Sequence, residues 1–163
     1  MSDYGDRMDL PVVIVHPNRD KPAARTTRLI VIVLLLVSVA LQALITVGGW
    51  PALQGSKPEE IVCILLYLLM AIFAVRWSRG VLPVSASLAI VLAIFAVVAA
   101  PAWFDRSRTG FASAALSANL LGALTVALIP VQVLLIAFAT KGFQQGWNVE
   151  VEHRIAPGEA APA

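Results

Sequence analysis

Uncharged polar side chains recur at helical spacing inside long apolar segments of this sequence. Ser38, Gln42 and Thr46 lie four residues apart, so a helix would place all three on one face. A later apolar segment contains Thr125 and Gln132. In hydrocarbon such groups form hydrogen bonds between neighbouring helices, at about 0.6–2 kcal/mol each. Two interpretations are open: these residues hold helices together, or they line a polar path or a small ligand pocket.

Groups that carry covalent, redox or metal chemistry are scarce. The single cysteine, Cys63, excludes an intramolecular disulfide, a CxxC redox pair and a four-cysteine zinc site. His16 and His153 lie near the two ends of the chain, whereas haem ligands in a helix bundle stand on facing helices. We therefore expect no catalytic residue, no cofactor and no metal site, and we predict that the protein is not an enzyme.

Ionisable residues are absent from the central parts of the apolar segments. Ion-coupled pumps and many transporters use such a group at membrane depth as a proton relay or counter-ion, so these classes are disfavoured. The formal net charge of +2 also gives no concentration of Lys and Arg of the kind that nucleic-acid binding needs. The sequence thus predicts no nucleic-acid partner.

Composition indicates which solvent surrounds the chain. Hydrophobic residues make up 59% and charged residues 13% of the 163 residues. Soluble domains contain about 45–50% apolar and about 25% charged residues. A chain of this length cannot bury so much apolar surface within itself, because small domains bury the smallest share of their surface. Lipid is therefore the expected environment.

Four apolar segments predict the elements that position the polar residues. The fold class is all-α, a four-transmembrane-helix bundle over residues 29–140, with spans at 29–47, 61–77, 81–104 and 116–140. Residues 1–28 are predicted as an N-terminal tail and residues 141–163 as an interfacial segment followed by a disordered tail. The short link at Gly80 predicts a tight antiparallel hairpin of the second and third spans. Counting depth at 1.5 Å per residue predicts that the first and fourth spans pack side by side, with Ser38 level with Gln132.

Basic residues predict the orientation, since Lys and Arg stay on the cytoplasmic side of a membrane. With both termini inside, nine basic residues fall on the cytoplasmic side and three outside, which predicts a multi-pass protein of the inner (cytoplasmic) membrane. The inner residues are Arg7, Arg19, Lys21, Arg25, Arg28, Arg76, Arg79, Lys141 and Arg154; the outer ones are Lys57, Arg106 and Arg108.

Both tails contain short segments that membrane insertion does not explain. Residues 10–15 are apolar and β-branched, so they are either part of a disordered tail or a strand that docks on a partner's sheet edge. Residues 149–152 alternate Val and Glu, which is strand periodicity. They are either a frayed tail or a second docking strand. Before them, Phe143, Trp147 and Asn148 are predicted to anchor the chain at the lipid interface or to contact a partner.

One stretch carries a resemblance to a known group of proteins. Residues 137–152 read AFATKGFQQGWNVEVE. This stretch, chiefly from Phe143 onward, resembles the end of an uncharacterised family of small four-span bacterial membrane proteins. The resemblance implies a four-span membrane fold and no particular activity.

These observations favour a non-catalytic integral membrane protein that serves as an accessory, assembly or scaffold subunit of a larger membrane complex. The alternative is a homo-oligomeric channel or facilitator for a small solute, in which the face of Ser38, Gln42 and Thr46 lines the path. The expected partners are the lipid bilayer and either another protein or further copies of the chain.

Overall fold

Four long helices make up most of the structure, a computed structural model that describes residues 12–106, 114–147 and 149–154. Each helix is long and apolar enough to cross a membrane, which confirms the predicted all-α class and the number of candidate spans. The helices are α1 (Pro22–Gly48), α2 (Lys57–Val75), α3 (Val81–Asp105) and α4 (Ala118–Gln144). Two short strands flank them, β1 (Val12–Val15) and β2 (Val151–Arg154).

Two helices extend beyond the predicted spans at the end of the bundle where α1 begins and α4 ends. There α1 begins at Pro22 rather than at residue 29, and α4 continues to Gln144 rather than ending at residue 140. Hydropathy marks only the part of a helix that fits hydrocarbon, whereas the helix itself continues into polar sequence. Pro22 in the first turn is compatible with a helix start, because that position needs no N–H donor.

The bundle has the spatial order α2, α1, α4, α3. Helix α3 packs chiefly along α4, and α1 packs against both α4 and α2. Small buried residues on α3, Ser85, Ala89 and Ala96, allow this close approach. Helices α2 and α3 share few contacts despite the short link between them, so the prediction of a tightly packed hairpin is wrong. A short link fixes where two helices meet at one end and leaves them free to diverge.

The divergence of α2 and α3 opens a cleft of about 440 Å³ towards the end of the bundle opposite the termini. Its walls are apolar and include Cys63, Leu92 and Phe95. Glu60 and Arg106 lie at its rim. Arg106 is already engaged, since its Nη1 donates to the carbonyl of Ala52 at 2.7 Å.

The outer surface of the bundle is apolar along its whole length. Large hydrophobic side chains project from every helix, for example Val98 of α3, which is 70% exposed, and Val33, Leu65 and Val133 on the other three. A water-soluble monomer rarely exposes apolar patches this extensive. The surface therefore matches the apolar environment that the composition predicts.

Candidate functional sites

A chain of hydrogen bonds crosses the centre of the bundle. Tyr67 of α2 donates its hydroxyl to Oε1 of Gln132 at 2.7 Å. Gln132 of α4 in turn donates from Nε2 to Oγ of Ser38 at 2.9 Å, and Ser38 of α1 donates to the carbonyl of Leu34 at 2.8 Å. All three side chains are fully buried. This polar layer, composed of Ser38, Tyr67 and Gln132, joins three of the four helices.

The first and fourth helices thus pack side by side with Ser38 against Gln132, as the depth count predicts. Sequence reasoning missed Tyr67, the third member. The available signal was its position, because it is the tyrosine within the second apolar segment and a buried phenol needs a partner.

The other predicted interhelical residues lie in the interior but bond differently. Gln42 donates from Nε2 to the carbonyl of Ser38, and Thr125 donates to that of Leu121, so these bonds stay within one helix. Helical threonines commonly do this, because the hydroxyl reaches the carbonyl four residues back. Oε1 of Gln42 and Oγ1 of Thr46 are buried without a hydrogen-bond partner among the described residues. The face of α1 that carries Gln42 and Thr46 is therefore inside the chain rather than on its surface.

Removal of either end of the Tyr67–Gln132 bond tests the polar layer. Tyr67→Phe and Gln132→Leu each leave a buried polar atom without its partner, so each is expected to lower the free energy of unfolding by about 1–3 kcal/mol. The double variant is expected to lose less than the sum, with a coupling of about 0.6–1.7 kcal/mol. Denaturant titration in detergent micelles measures the free energy of unfolding of the two single variants and of the double variant. Tyr67→Phe combined with Thr125→Val is the additive control; additivity in both pairs would contradict the layer.

A second site lies where α1 begins and where α2 and α4 end. We call it the terminal cluster and define it as Thr27, Arg28, Trp77, Gln145 and Trp147. The two indole rings make an edge-to-face contact, with centroids 5.5 Å apart and planes at 80°. The indole N–H of Trp147 donates to Oε1 of Gln145 at 3.1 Å, and Nε2 of Gln145 donates to Oγ1 of Thr27 at 3.0 Å. The segment after α4 is thereby bound to the first turns of α1.

Arg28 connects this cluster to α2. Its guanidinium carbon lies 4.3 Å from the centroid of the Trp77 ring. Its Nε donates to the carbonyl of Ala74 at 3.1 Å, and its Nη2 donates to that of Val75. These carbonyls are at the end of α2, where the helix dipole favours a positive charge. Arg28 therefore caps α2 from α1.

Trp147 is the centre of the cluster and is completely buried. It lies against Gly142, where a Cβ atom would come within 3.0 Å of the ring. The ring contacts the chain's own helices. The prediction that Trp147 lies at the level of the lipid headgroups stays a prediction. A positive φ of 59° at Gly146 turns the chain back and brings the ring inward.

Phe143 and Asn148 are the other two predicted anchor residues. Phe143 is 41% exposed and lies 4.3 Å beneath the guanidinium of Arg79. An interfacial role for Phe143 stays a prediction. Asn148 lies outside the described residues.

The N-terminal segment is tied to the same cluster. Asn18 donates from Nδ2 to the carbonyl of Gly146 at 3.1 Å, and Arg19 donates from Nε to that of Trp147 at 3.2 Å. Beyond these bonds β1 and β2 pair antiparallel, with Ile14 opposite Glu152 and Val15 opposite Val151. We call this pair of strands the terminal ribbon. For each of these two segments the sequence left open a disordered or frayed tail and a strand for a partner's sheet; in the structure the two segments pair with each other.

The ribbon has a defined inner end and exposed apolar side chains. His16 and Glu150 continue the register, with Nε2 and Oε1 3.5 Å apart. Ile14 is 57% and Val151 47% exposed. In the part of the chain that the structure describes, neither strand has a second neighbour, so each keeps an unpaired edge.

Within residues 12–106, 114–147 and 149–154 there is no group of three or more His, Cys, Asp or Glu side chains placed to hold a metal ion. Comparison of the chain with protein-family models, with curated proteins and with solved structures gives no match. The resemblance of residues 137–152 to a four-span family therefore remains a prediction.

Proposed function

We propose that this chain is a non-catalytic subunit of a membrane complex, an accessory, assembly or scaffold protein that presents its terminal ribbon to a partner protein. The observation that carries the proposal is the pairing of Val12–Val15 with Val151–Arg154 beside the terminal cluster. The ribbon is held to the bundle through Asn18, Arg19 and Trp147, and among the residues that the structure describes each of its strands has one unpaired edge.

The ribbon's stability supports this role. An isolated two-stranded hairpin is marginally stable in water, so two four-residue strands need support from elsewhere. The terminal cluster provides that support. An unpaired strand edge is a template for a further strand, and proteins that do not use an edge usually blunt it. Exposed Ile14 and Val151 offer side-chain contacts beside the edge.

Membrane insertion and orientation are part of the proposal. Four apolar helices with an apolar outer surface support a multi-pass protein. The excess of basic residues at the end that carries the ribbon, nine against three in the sequence, supports a cytoplasmic location for both termini. The partner is therefore a cytoplasmic protein, or the cytoplasmic part of a membrane protein, with an accessible β-strand.

The alternative of a homo-oligomeric channel receives less support. A path between copies of the chain needs polar side chains on the outer surface. Ser38, Gln42 and Thr46 are instead buried inside one chain, at 4% exposure or less. Ser38 is also engaged with Gln132, which favours the role of holding helices together.

Native co-purification in mild detergent tests the function. The tagged chain is expected to retain a stoichiometric partner protein. Ile14→Lys places a charge at an exposed position of the ribbon, and lysine is tolerated there because it lies on an edge strand. The variant is expected to reduce retention of the partner about tenfold or more. Trp50→Lys, at an exposed site at the other end of the bundle, is the matched control and is expected to retain the partner.

Two results would contradict the proposal. One is a wild-type chain that purifies alone, or only with a differently tagged copy of itself. The other is a partner that Ile14→Lys retains as well as the wild type does.

A further inference from the structure

A cavity of about 600 Å³ lies beside the terminal cluster, where α1 begins and α2 ends. Three guanidinium groups, from Arg19, Arg25 and Arg28, converge on it together with one carboxylate, from Asp20. Three positive charges against one negative charge leave a formal excess of two. Neither the terminal ribbon nor the polar layer uses this cavity.

The single carboxylate pairs with one arginine. Oδ1 of Asp20 accepts from Nη2 of Arg25 at 2.9 Å, and both side chains are about two thirds exposed, at 63% and 65%. Arg28 directs Nε and Nη2 towards carbonyls of α2. A guanidinium has five N–H donors, so Arg25 and Arg28 each keep donors beyond these bonds. Like charges that line one cavity repel each other, and an anion bound between them relieves that repulsion.

The rest of the cavity wall is apolar. It is formed by Leu29, Ile32 and Trp77, and Leu29 is 62% exposed. Leu29 and Ile32 begin the apolar part of α1, so the charged and apolar parts of the cavity meet at the expected boundary between headgroups and hydrocarbon. A free inorganic anion gains nothing from an exposed leucine at this position. An amphiphile with an anionic head and an acyl chain contacts both parts.

We propose that this cavity binds an anionic phospholipid, with the phosphate of the headgroup between Arg25 and Arg28 and an acyl chain along Leu29 and Ile32. Phosphate accepts charge-assisted hydrogen bonds from guanidinium groups, and basic pockets at the cytoplasmic ends of transmembrane helices suit such headgroups. Asp20 competes with the phosphate for Arg25. The lipid would therefore fill a site between α1 and the end of α2, independently of any protein partner on the ribbon.

Because Asp20 and the phosphate compete for Arg25, substitutions of Arg25 and of Asp20 are expected to change lipid binding in opposite directions. The full chain is purified in a neutral detergent and titrated with dioleoylphosphatidylglycerol or dioleoylphosphatidylcholine, and bound lipid is counted by native mass spectrometry. The wild type is expected to prefer phosphatidylglycerol. Arg25→Gln removes a charged donor and is expected to weaken that binding about tenfold. Asp20→Asn releases Arg25 and is expected to strengthen it about threefold or more.

Arg79→Gln is the matched control, since Arg79 is exposed at the same end of the bundle but lies over Phe143, outside the cavity. It is expected to change binding less than twofold. Equal affinity for the two lipids, equal losses in Arg25→Gln and Arg79→Gln, or weaker binding by Asp20→Asn would each overturn the site. Displacement of the lipid by millimolar inorganic phosphate would also overturn it, because the site would then bind a soluble anion. Co-purification of the protein partner is measured separately, so either proposal can fail without the other.

Discussion

Replacement of Trp147 by alanine is expected to lower the free energy of unfolding by about 3–5 kcal/mol, the usual cost of removing a buried aromatic side chain. The indole ring is completely buried, and its loss leaves Trp77 without its edge-to-face partner. Gln145 also loses the donor that orients its side chain towards Thr27. The midpoint of thermal unfolding in detergent, followed by loss of the monodisperse peak in size-exclusion chromatography, measures the effect.

The same variant is expected to release the N-terminal segment. Arg19 is bonded to the backbone of residue 147, and the sequence around it offers trypsin Arg19 and Arg25, whereas Lys21 is protected by Pro22. Cleavage there should be faster in Trp147→Ala than in the wild type, because proteolysis follows the population of locally opened chain. Trp50→Ala is the control, since Trp50 is 43% exposed at the other end of the bundle. Equal stability and equal cleavage in the two variants would mean that Trp147 does not hold the tails.

The sequence predicted the helices and one contact between them, for a geometric reason. The rise per residue of an α-helix is fixed, so depth counted from the ends of two apolar segments placed Ser38 level with Gln132. Depth does not give the rotation of a helix about its axis or the order of helices around the bundle. For that reason Tyr67 was missed as the third member of the polar layer, and the divergence of α2 from α3 was not foreseen.

The terminal ribbon could be predicted only in part from the sequence. Alternating Val and Glu in residues 149–152 and the β-branched run before His16 both indicated strands. That Ile14 lies opposite Glu152 could not be read from either segment alone, because the helices bring the two ends of the chain together. Trp147 was predicted at the lipid interface because an amphipathic ring is typical there. That the turn at Gly146 packs the ring against the helices could not be read from this pattern.

A cysteine pair across the terminal ribbon tests whether the two strands of one molecule pair with each other. Val15→Cys with Val151→Cys, on a Cys63→Ser background, puts two thiols at positions that are directly opposite in the register. Opposite Cα atoms in an antiparallel pair are about 4.5–5.5 Å apart, which is within the range that a disulfide spans. Ile14→Cys with Val151→Cys is the control, since these side chains point to opposite faces of the ribbon.

The measurement is disulfide formation in isolated membranes after mild oxidation. We expect the Val15–Val151 cysteine pair to form a disulfide within one chain in nearly every molecule, and the control pair to stay largely reduced. A membrane-impermeant maleimide should label the reduced pair in inside-out vesicles and not in right-side-out vesicles. Absence of the disulfide, or disulfides only between two chains, would contradict a ribbon formed by the two tails of one molecule.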